Sequence, residues 1–186
     1  MPIIILLPVV IRTEAESHMP VMTITSVTSP NPDLGVAAVA AAALCGAGIT
    51  QEFPGDLVCR PSVAGLDVMY ATPNGATAHA GFVRAGFDTV QAFPLPDLPP
   101  ISNPTTITIV PLSAALIPFA DGAADSLCGA GLLVQNADGT TYTVAPDKQT
   151  IKVTCDDAKR ATVQAAFTRV WQFLVNPGGL PTPDVG

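Results

Sequence analysis

The sequence predicts an α+β protein formed by internal duplication of a β-α-β-β-α unit. Two observations lead to this fold class. The string Leu-Cys-Gly-Ala-Gly occurs at 44–48 and again at 127–131, and Thr-Ile-Thr occurs at 23–25 and again at 106–108, both with a spacing of 83 residues. Between these anchors 12 of 26 aligned positions are identical. A self-similar pattern of this kind indicates repeated supersecondary units.

A second repeated block follows with a spacing of 85 residues. Ala76, Thr77, Ala80, Phe82 and Arg84 match residues of the same types at 161, 162, 165, 167 and 169, and Val68 matches Val153. A two-residue insertion near the turn at 136–139 explains the change of spacing. We expect an N-terminal strand or arm at 1–20, a first unit at 21–93, a proline-rich linker at 94–103, a second unit at 104–176 and a tail at 177–186.

Each unit begins with a strand and a helix rich in small residues. Alternating Thr, Val and Ile predict strands over Val21–Ser29 and Thr105–Leu112. In the first unit Ser29 or Asn31 is expected to cap the helix, with Pro32 in its first turn. The glycines of Cys-Gly-Ala-Gly end both helices, because glycine readily adopts the left-handed conformation at a C-cap.

The rest of each unit is read as strands followed by a closing helix. Leu132–Val144 is predicted to form a hairpin that turns at Asp138-Gly139. A further strand carries Val68 in the first unit and Val153 in the second. This order suggests a ferredoxin-like, split βαβ layout with an antiparallel or mixed sheet and helices on one face.

The closing helix of the second unit has the clearest pattern in the chain. Asp156 or Asp157 is expected to cap a helix over Ala158–Val175 whose apolar residues recur at helical spacing. These are Val163, Ala166, Phe167, Val170, Trp171 and Leu174. The corresponding helix of the first unit, Thr77–Gln91, contains Gly81 and Gly86 and is weaker.

Composition limits the classes of function. Hydrophobic residues make up 48% of the 186 and charged residues 12%, with a net charge of −7. Eight scattered basic residues do not form the patch that nucleic acid requires, so we predict no nucleic-acid partner. We also predict no membrane partner, since no uncharged apolar stretch reaches about 20 residues. Pro2–Ile11 is apolar but is not preceded by a basic region, so we interpret it as a strand or ordered arm rather than a secretory signal.

The four cysteines are divided unequally between the units. Cys45 and Cys128 occupy equivalent positions, whereas Cys155 aligns with Tyr70 and Cys59 has no counterpart. Small buried residues at helix ends are the simplest interpretation of Cys45 and Cys128. A Cys45–Cys128 bridge and a Cys59–Cys155 bridge stay open as alternatives. No Cys-x-x-Cys pair accompanies His18 or His79, so we predict neither a metal site nor a cofactor.

The repeated Cys-Gly-x-Gly string resembles the motif of the two-cysteine amino-acid racemases and epimerases. This resemblance covers eight to ten residues and implies that Cys45 and Cys128 face each other as acid and base. The sequence departs from the family in two respects. In that family the motif begins a helix and its N–H groups hold a carboxylate, whereas here a helix leads into the motif. Each half is also short for that fold.

Other polar residues have structural interpretations. His79 aligns with Gln164 and is expected to be a structural histidine on a helix. Asp156-Asp157 is explained by helix capping, and Asp121, Asp125 and Asp138 by turns and helix ends. No nucleophile elbow, phosphate loop or dinucleotide fingerprint occurs.

The leading functional hypothesis is a structural subunit of a symmetric homo-oligomer or larger assembly, for example a virus-like coat, decoration or head–tail protein. A chain this apolar and poor in charge needs partners to cover its surface. Pro2–Ile11 and the linker segment at 93–101 are expected to contact neighbouring subunits. The alternatives are a small cysteine-dependent enzyme that uses Cys45 and Cys128, and a module that binds a small ligand between the units.

Overall fold

The chain is a mixed α+β protein with four helices and antiparallel sheets in the described region. The computed structural model describes residues 19–26 and 34–176. The first half contains β1 (Val21–Ser26), α1 (Leu34–Gly46), β2 (Thr50–Gln51), β3 (Arg60–Ser62), β4 (Gly65–Tyr70), α2 (Gly75–Arg84) and β5 (Phe87–Thr89). The second half contains β6 (Pro104–Ile109), α3 (Ala120–Gly129), β7 (Thr143–Val144), β8 (Ile151–Asp156) and α4 (Arg160–Val175).

Three expectations lie outside the described residues. They are the N-terminal segment Pro2–Ile11, the cap of the first helix at Ser29 or Asn31 with Pro32, and the tail at 177–186. None of the helices in the described ranges is long and apolar enough to cross a membrane.

The first sheet has the strand order β2-β4-β1-β5, and β3 also pairs with β4. Every pairing is antiparallel, and β1 lies in the interior between β4 and β5. Alternate residues of β4 are buried, with Leu66 and Val68 fully covered. This burial follows from the period of two that places successive side chains of a strand on opposite faces.

The second sheet is smaller and has the order β6-β8-β7, again antiparallel. Ile107 and Ile109 of β6 are buried, whereas Thr106 and Thr108 between them are exposed. The alternation predicted for this segment is therefore confirmed, although the strand ends at Ile109 rather than at Leu112.

The predicted hairpin at Leu132–Val144 forms only its turn. The turn at Asp138-Gly139 is present, with Gly139 at φ 87° and the Asn136 N–H donating to the Thr140 carbonyl at 2.8 Å. Its flanks do not pair with each other as strands. The N–H of Val134 instead donates to the carbonyl of Thr154 in β8 at 2.8 Å. The backbone groups of this segment thus find partners in a strand far along the chain.

The four helices lie against one another across the two halves. α1 packs on α3 and α4 of the second half, while α2 packs on α3. α1 also contacts β2 and β4, and α4 contacts β6 and β8, so each sheet covers helices of its own half. Residues 37–44 of α1 are all buried. The first seven are alanine or valine, and the last is Leu44. Small side chains allow a helix to be enclosed on every side.

The first helix of each half, α1 in the first and α3 in the second, ends in the same hydrogen-bonded turn. In α1 the N–H of Gly48 donates to the Cys45 carbonyl at 2.9 Å and the N–H of Ile49 to the Leu44 carbonyl at 2.9 Å. In α3 the N–H of Gly131 donates to Cys128 at 3.0 Å and that of Leu132 to Leu127 at 2.9 Å. Gly48 and Gly131 have φ of 76° and 79°. These are Schellman motifs, in which glycine avoids the cost of a left-handed conformation.

The strand registers of the two sheets differ by two residues. Ile24 of β1 pairs with Leu66, whereas the equivalent Ile107 of β6 pairs with Val153. Val68 and Val153 are aligned in the repeat, but they pair with non-equivalent residues. Val68 pairs with Met22 of β1, and Val153 pairs with Ile107 of β6. A shift of two residues keeps the same side chains on the buried face, so the core is retained.

The closing helices begin alike and end differently. Asp156 accepts a hydrogen bond from the Ala158 N–H at 3.1 Å and caps a 3₁₀ turn that leads into α4, which confirms the predicted cap. α2 ends at Arg84, and Gly86, with φ 94°, turns the chain into β5. The residue equivalent to Gly86 is Trp171, which lies inside α4. Thr77–Gln91 was predicted as helix, but only its first part is helical.

Candidate functional site

The two repeated cysteine turns are the sites that the sequence singles out, and each abuts a helix of the other half. A Cβ on Gly46 would lie 2.8 Å from the Ala165 carbonyl oxygen of α4. A Cβ on Gly129 would lie 2.4 Å from the Ala80 carbonyl oxygen of α2. These distances are shorter than real Cβ contacts, so only glycine permits the approach of the helices. The Cys-Gly pair is thus a helix-packing element in both halves.

Cys45 lies beside a charged pair at the end of α1. Arg169 of α4 donates from Nε to Oε1 of Glu52 at 2.7 Å and from a terminal nitrogen to the Asp56 carbonyl at 2.9 Å. Burial of the thiol raises the pKa of Cys45 from 9.0 to about 11; Glu52 raises it further, and Arg169 opposes the rise. The thiol is therefore neutral at pH 7, and the arginine is engaged by the carboxylate and the carbonyl.

Cys128 also lies near an arginine, Arg84, but the acidic residue close to it is Asp125. Burial raises the pKa of the Cys128 thiol, and the positive charge of Arg84 opposes this while Asp125 adds to it. The linker covers this turn: a Cβ on Gly131 would lie 3.1 Å from Leu98. Cys128 lines a cavity of about 350 Å³ together with apolar linker residues that include Leu98 and Ile101.

All four cysteines are free thiols, so neither of the open disulfide alternatives is formed. Burial raises the pKa of Cys59 to about 12 and also raises the pKa of the Cys155 thiol. Cys45 and Cys128 are each placed against a different arginine on a different helix. The structure therefore gives each cysteine its own environment, and both environments favour the thiol over the nucleophilic thiolate.

A crevice between the halves lies next to the Cys45 turn. It has a volume of about 520 Å³ and is lined by the 52–56 loop and by residues near the end of α4. Its polar side chains are Glu52, Asp56, Arg169, Gln172 and Asn176. Because Glu52 and Arg169 already form an ion pair, they neutralise each other within the crevice. A ligand would have to compete with that pair.

His79 is a buried structural residue in this fold. Its Nδ1 lies 2.8 Å from the Thr89 hydroxyl oxygen, which itself donates to the Gln91 carbonyl at 2.6 Å. The hydroxyl proton is used in that second bond, so Nδ1 carries a proton and donates to Thr89. The ring also packs 5.8 Å from that of Phe93. His79 thus fixes β5 and the start of the linker to α2.

Asp138 acts in a turn and Asp156 in a cap, as the sequence predicts, whereas Asp125 was predicted at a turn or helix end and lies inside α3. Hydrogen bonds from the Thr140 hydroxyl and backbone N–H hold the pKa of Asp138 below its usual value. Burial raises the pKa of Asp125, which accepts a hydrogen bond from Thr141 at 2.9 Å. Within the described residues there is no group of three or more potential ligands that could hold a metal ion.

Four exposed large apolar side chains lie on or beside the strands of the second sheet. We call them the apolar rim; they are Val110, Leu112, Phe119 and Val144, which are 69%, 64%, 47% and 46% exposed. Val110 and Leu112 directly follow β6. Val144 of β7 pairs with Ile151 of β8, and Ile151 pairs with Ile109 of β6. Val144, Ile151 and Ile109 therefore form one row across the sheet. Pro118, next to Phe119, lines a cavity with Val144.

Comparison of the chain with protein-family models, curated proteins and solved structures gave no match. The function therefore has to be argued from the surface and sites described above.

The apolar rim was not predicted from the sequence. The stretch from 105 to 112 was expected to be one strand with a buried side, but β6 ends at Ile109. The alternation stops at Val110-Pro111, and a proline cannot donate to a strand ladder. That signal marks the end of the strand, but not the exposure of the residues beyond it.

Proposed function

We propose that the chain is a structural subunit of a symmetric homo-oligomer or a larger protein assembly. The observation that carries this proposal is the apolar rim. Four large apolar side chains are exposed around the second sheet in a chain with only 12% charged residues. Soluble monomers rarely expose large contiguous apolar patches, and we propose that these side chains belong to one such interaction site.

The two described ion pairs lie away from the apolar rim, although Lys148 and Asp121 line cavities with Val144 and Phe119. The ion pairs Arg160–Asp157 and Arg169–Glu52 lie at the start of α4 and beside the Cys45 turn. Neither joins the rim. Val63, Val90 and Leu95 in the first half and linker are also exposed, at 111%, 61% and 66%. A stable interface buries about 1,200–2,000 Å² in total, and obligate interfaces are more apolar than transient ones.

We further propose that the chain is a duplicated, ferredoxin-like split βαβ unit. Three observations support this: the identical turns after α1 and α3, the reciprocal contacts of Gly46 with α4 and of Gly129 with α2, and the strand order β2-β4-β1-β5 of the first sheet. The pairs Thr50–Tyr70 and Leu133–Cys155 also match at spacings of 83 and 85. A coat, decoration or head–tail protein is one concrete form of such a subunit.

The segment at 93–101 was expected to contact neighbouring subunits, and part of it is held by contacts within the chain. Phe93 packs against Tyr70 and His79, and Leu98 lies against the Cys128 turn. Leu95 between them is exposed. If the linker contacts neighbouring subunits, Leu95 is the residue that it offers, while Phe93 and Leu98 hold it in place.

The two alternative functions have less support from the geometry. Catalysis by Cys45 and Cys128 requires one thiolate, and burial opposes its formation at both positions. A ligand between the halves would have to enter the crevice beside Glu52–Arg169 or the cavity of about 180 Å³ at Val36, Pro118 and Gly122. The latter is below the usual volume of about 300–1,000 Å³ for ligand pockets.

The test of the assembly proposal is the native mass of the purified chain. We expect sedimentation velocity and light scattering at about 1–100 μM to give a discrete oligomer. Leu112→Glu with Phe119→Lys should reduce its size, while the circular dichroism spectrum stays unchanged. Thr106→Ser, an exposed substitution outside the rim, serves as the control. A 19.0 kDa monomer across this concentration range contradicts the proposal.

A further inference from the structure

The first strands of the two halves differ in how many neighbours they have. In the first sheet β1 pairs with β4 on one side and with β5 on the other. In the second sheet β6 pairs with β8 and has no strand on its other side within the described residues. The position that β5 occupies beside Ile24 is therefore open beside Ile107.

Hydrogen bonding shows which backbone groups face the open side of β6. The N–H of Asp157 donates to the Asn103 carbonyl at 2.9 Å, so the backbone groups of Asn103 point towards β8. Because these directions alternate along an antiparallel strand, Ile107 also points towards β8, while Thr106 and Thr108 point away from it. Their N–H and C=O groups lie along the open edge.

The equivalent groups in the first half have partners. Thr23, which is equivalent to Thr106, donates its N–H to Oε1 of Gln91 at 2.8 Å and accepts the Val90 N–H at 2.8 Å. The first half thus shows what the edge of β6 requires: an extended segment that supplies an acceptor and a donor at this position. Unpaired backbone groups at a strand edge are a template for pairing with another chain.

A cavity and a buried donor lie beside the same edge. The cavity has a volume of about 360 Å³ and is lined by Thr108, Ile109 and Val110 on one side and by residues of α4 that include Phe167 and Trp171 on the other. Trp171 is 3% exposed, and its indole N–H has no acceptor in the described part of the chain. A buried donor without a partner costs about 1–3 kcal/mol, and a strand placed here would bring backbone carbonyls close to it.

The sequence of β6 itself fits the role of the added strand. Edge strands that avoid pairing are usually protected by charges or proline. Pro104–Ile109 contains no charged residue, and its one proline stands at its first position, which leaves the N–H groups of Thr106 and Thr108 available. Ile107 and Ile109 lie on the buried face while Thr106 and Thr108 are exposed, which is the pattern a strand needs when it lies beside another β6. Two copies related by a twofold axis would satisfy both open edges at once.

We propose that β6 of one chain pairs antiparallel with β6 of a second copy, which joins the two second sheets into one continuous sheet. The inference rests on the proposed assembly function and names its interface. The partner strand occupies the place that β5 holds in the first half. Val110 of the apolar rim is covered in the same contact, because it continues the edge and lines the same cavity.

Thr108→Pro tests this interface directly in the full chain. Proline removes the N–H that points along the open edge but leaves the groups that bond to β8 intact. We expect the dissociation constant of the dimer to rise at least about tenfold, since the symmetric contact loses this donor twice. Val110→Asp should act similarly by bringing a charge into the contact. Thr108→Val and Val63→Asp are the matched controls and should leave the constant within about twofold.

The measurements are sedimentation equilibrium and amide hydrogen exchange, with circular dichroism to establish that each variant is folded. Protection of the Thr106 and Thr108 amides that increases with protein concentration supports the pairing. An oligomer that both edge variants leave intact overturns the β6 interface, while the assembly function stands. Equal protection in dilute monomer would assign the edge to a segment of the same chain and overturn the proposal. A wild-type chain that is monomeric throughout overturns both proposals.

Discussion

The two closing helices, α2 and α4, start from equivalent sequences and lead to different surroundings. α2 stops at Arg84, and Gly86 turns the chain so that β5 completes the first sheet. At the equivalent position α4 carries Trp171 and continues to Val175, and β6 pairs only with β8 among the described strands. One residue difference, glycine against tryptophan, thus coincides with a completed sheet in one half and an open edge in the other.

The comparison shows that the two halves share helix contacts and differ at their sheet edges. The packing of the helices depends on glycine and alanine contacts that occur in both halves. The differences lie at the sheet edges, where an added or removed strand changes the exposed surface but not the helix layer. An open edge is a cost for a monomer and a contact for an assembly.

The largest expected effect is at Trp171. Trp171→Ala should lower the free energy of unfolding by about 3–5 kcal/mol, because it removes a large buried side chain between β6 and α4. Trp171→Phe should cost less than about 1.5 kcal/mol, since it keeps most of the volume and removes the unpaired N–H. Urea unfolding at a fixed protein concentration measures both. A loss below about 0.5 kcal/mol for Trp171→Ala would show that this end of α4 is not core.

The reciprocal glycine contacts give the next effect. Gly129→Ala and Gly46→Ala should each cost about 1–3 kcal/mol, because the added methyl group meets the backbone of α2 or α4. Gly129→Ala should cost more, since its Cβ would lie 2.4 Å from Ala80 O, against 2.8 Å from Ala165 O for Gly46. Thermal unfolding compares the pair, with the exposed Gln172→Ala as control. Equal stability of all three variants would contradict the close helix packing.

A smaller loss of stability is expected for alanine at the glycines of the two Schellman turns. Gly48→Ala and Gly131→Ala both place alanine at positive φ, which costs about 1–2 kcal/mol. Gly131→Ala should be the more harmful, because its Cβ would also approach Leu98 at 3.1 Å, whereas Gly48 faces open space. Chemical unfolding of both variants measures the difference. If Gly48→Ala proved worse, the linker would not pack on the Cys128 turn as described.

The smallest effect concerns the thiols. Because the Cys45 pKa of about 11 lies above the ordinary 9.0, the native state holds this proton to higher pH than the unfolded state. Its contribution to stability is present below pH 9 and is lost as the pH rises from 9 towards 11. Labelling of Cys45 with iodoacetamide, followed by mass spectrometry, should be slow at pH 7 and faster at high pH. Arg169→Gln should slow it further, because Arg169 lowers the pKa; fast labelling at pH 7 argues for a reactive thiol.

The C-caps of α1 and α3 and the start of α4 were predicted well, because their signals are local, whereas the helix predicted at Thr77–Gln91 ends at Arg84 and is followed by β5. Cys-Gly-Ala-Gly predicted both C-caps and Asp156 predicted the start of the last helix, since a cap depends on a few neighbouring residues. The buried face of α4, with Phe167 and Trp171, followed from helical periodicity. Cys45 and Cys128 were predicted as small buried residues at helix ends; both lie at helix ends but are only partly buried, and the arginine beside each was not predicted.

Strand pairing was predicted less well, since it depends on residues far apart in the chain. The segment at 132–144 contains a good turn at Asp138-Gly139, yet its flanks bond to β8 instead of to each other. The two-residue shift between β1 and β6 is equally invisible in the aligned repeats, because it leaves the alternation unchanged.

The sequence by itself determined the repeated helix turns, the amphipathic last helix and the shortage of charge, because each is a property of residue type and spacing. Only the tertiary structure decided that β5 fills one sheet edge while the edge of β6 stays open among the described residues, and that Arg169 and Arg84 lie beside Cys45 and Cys128. These features arise where two distant segments meet, and the free energy of such contacts depends on the geometry of the whole fold.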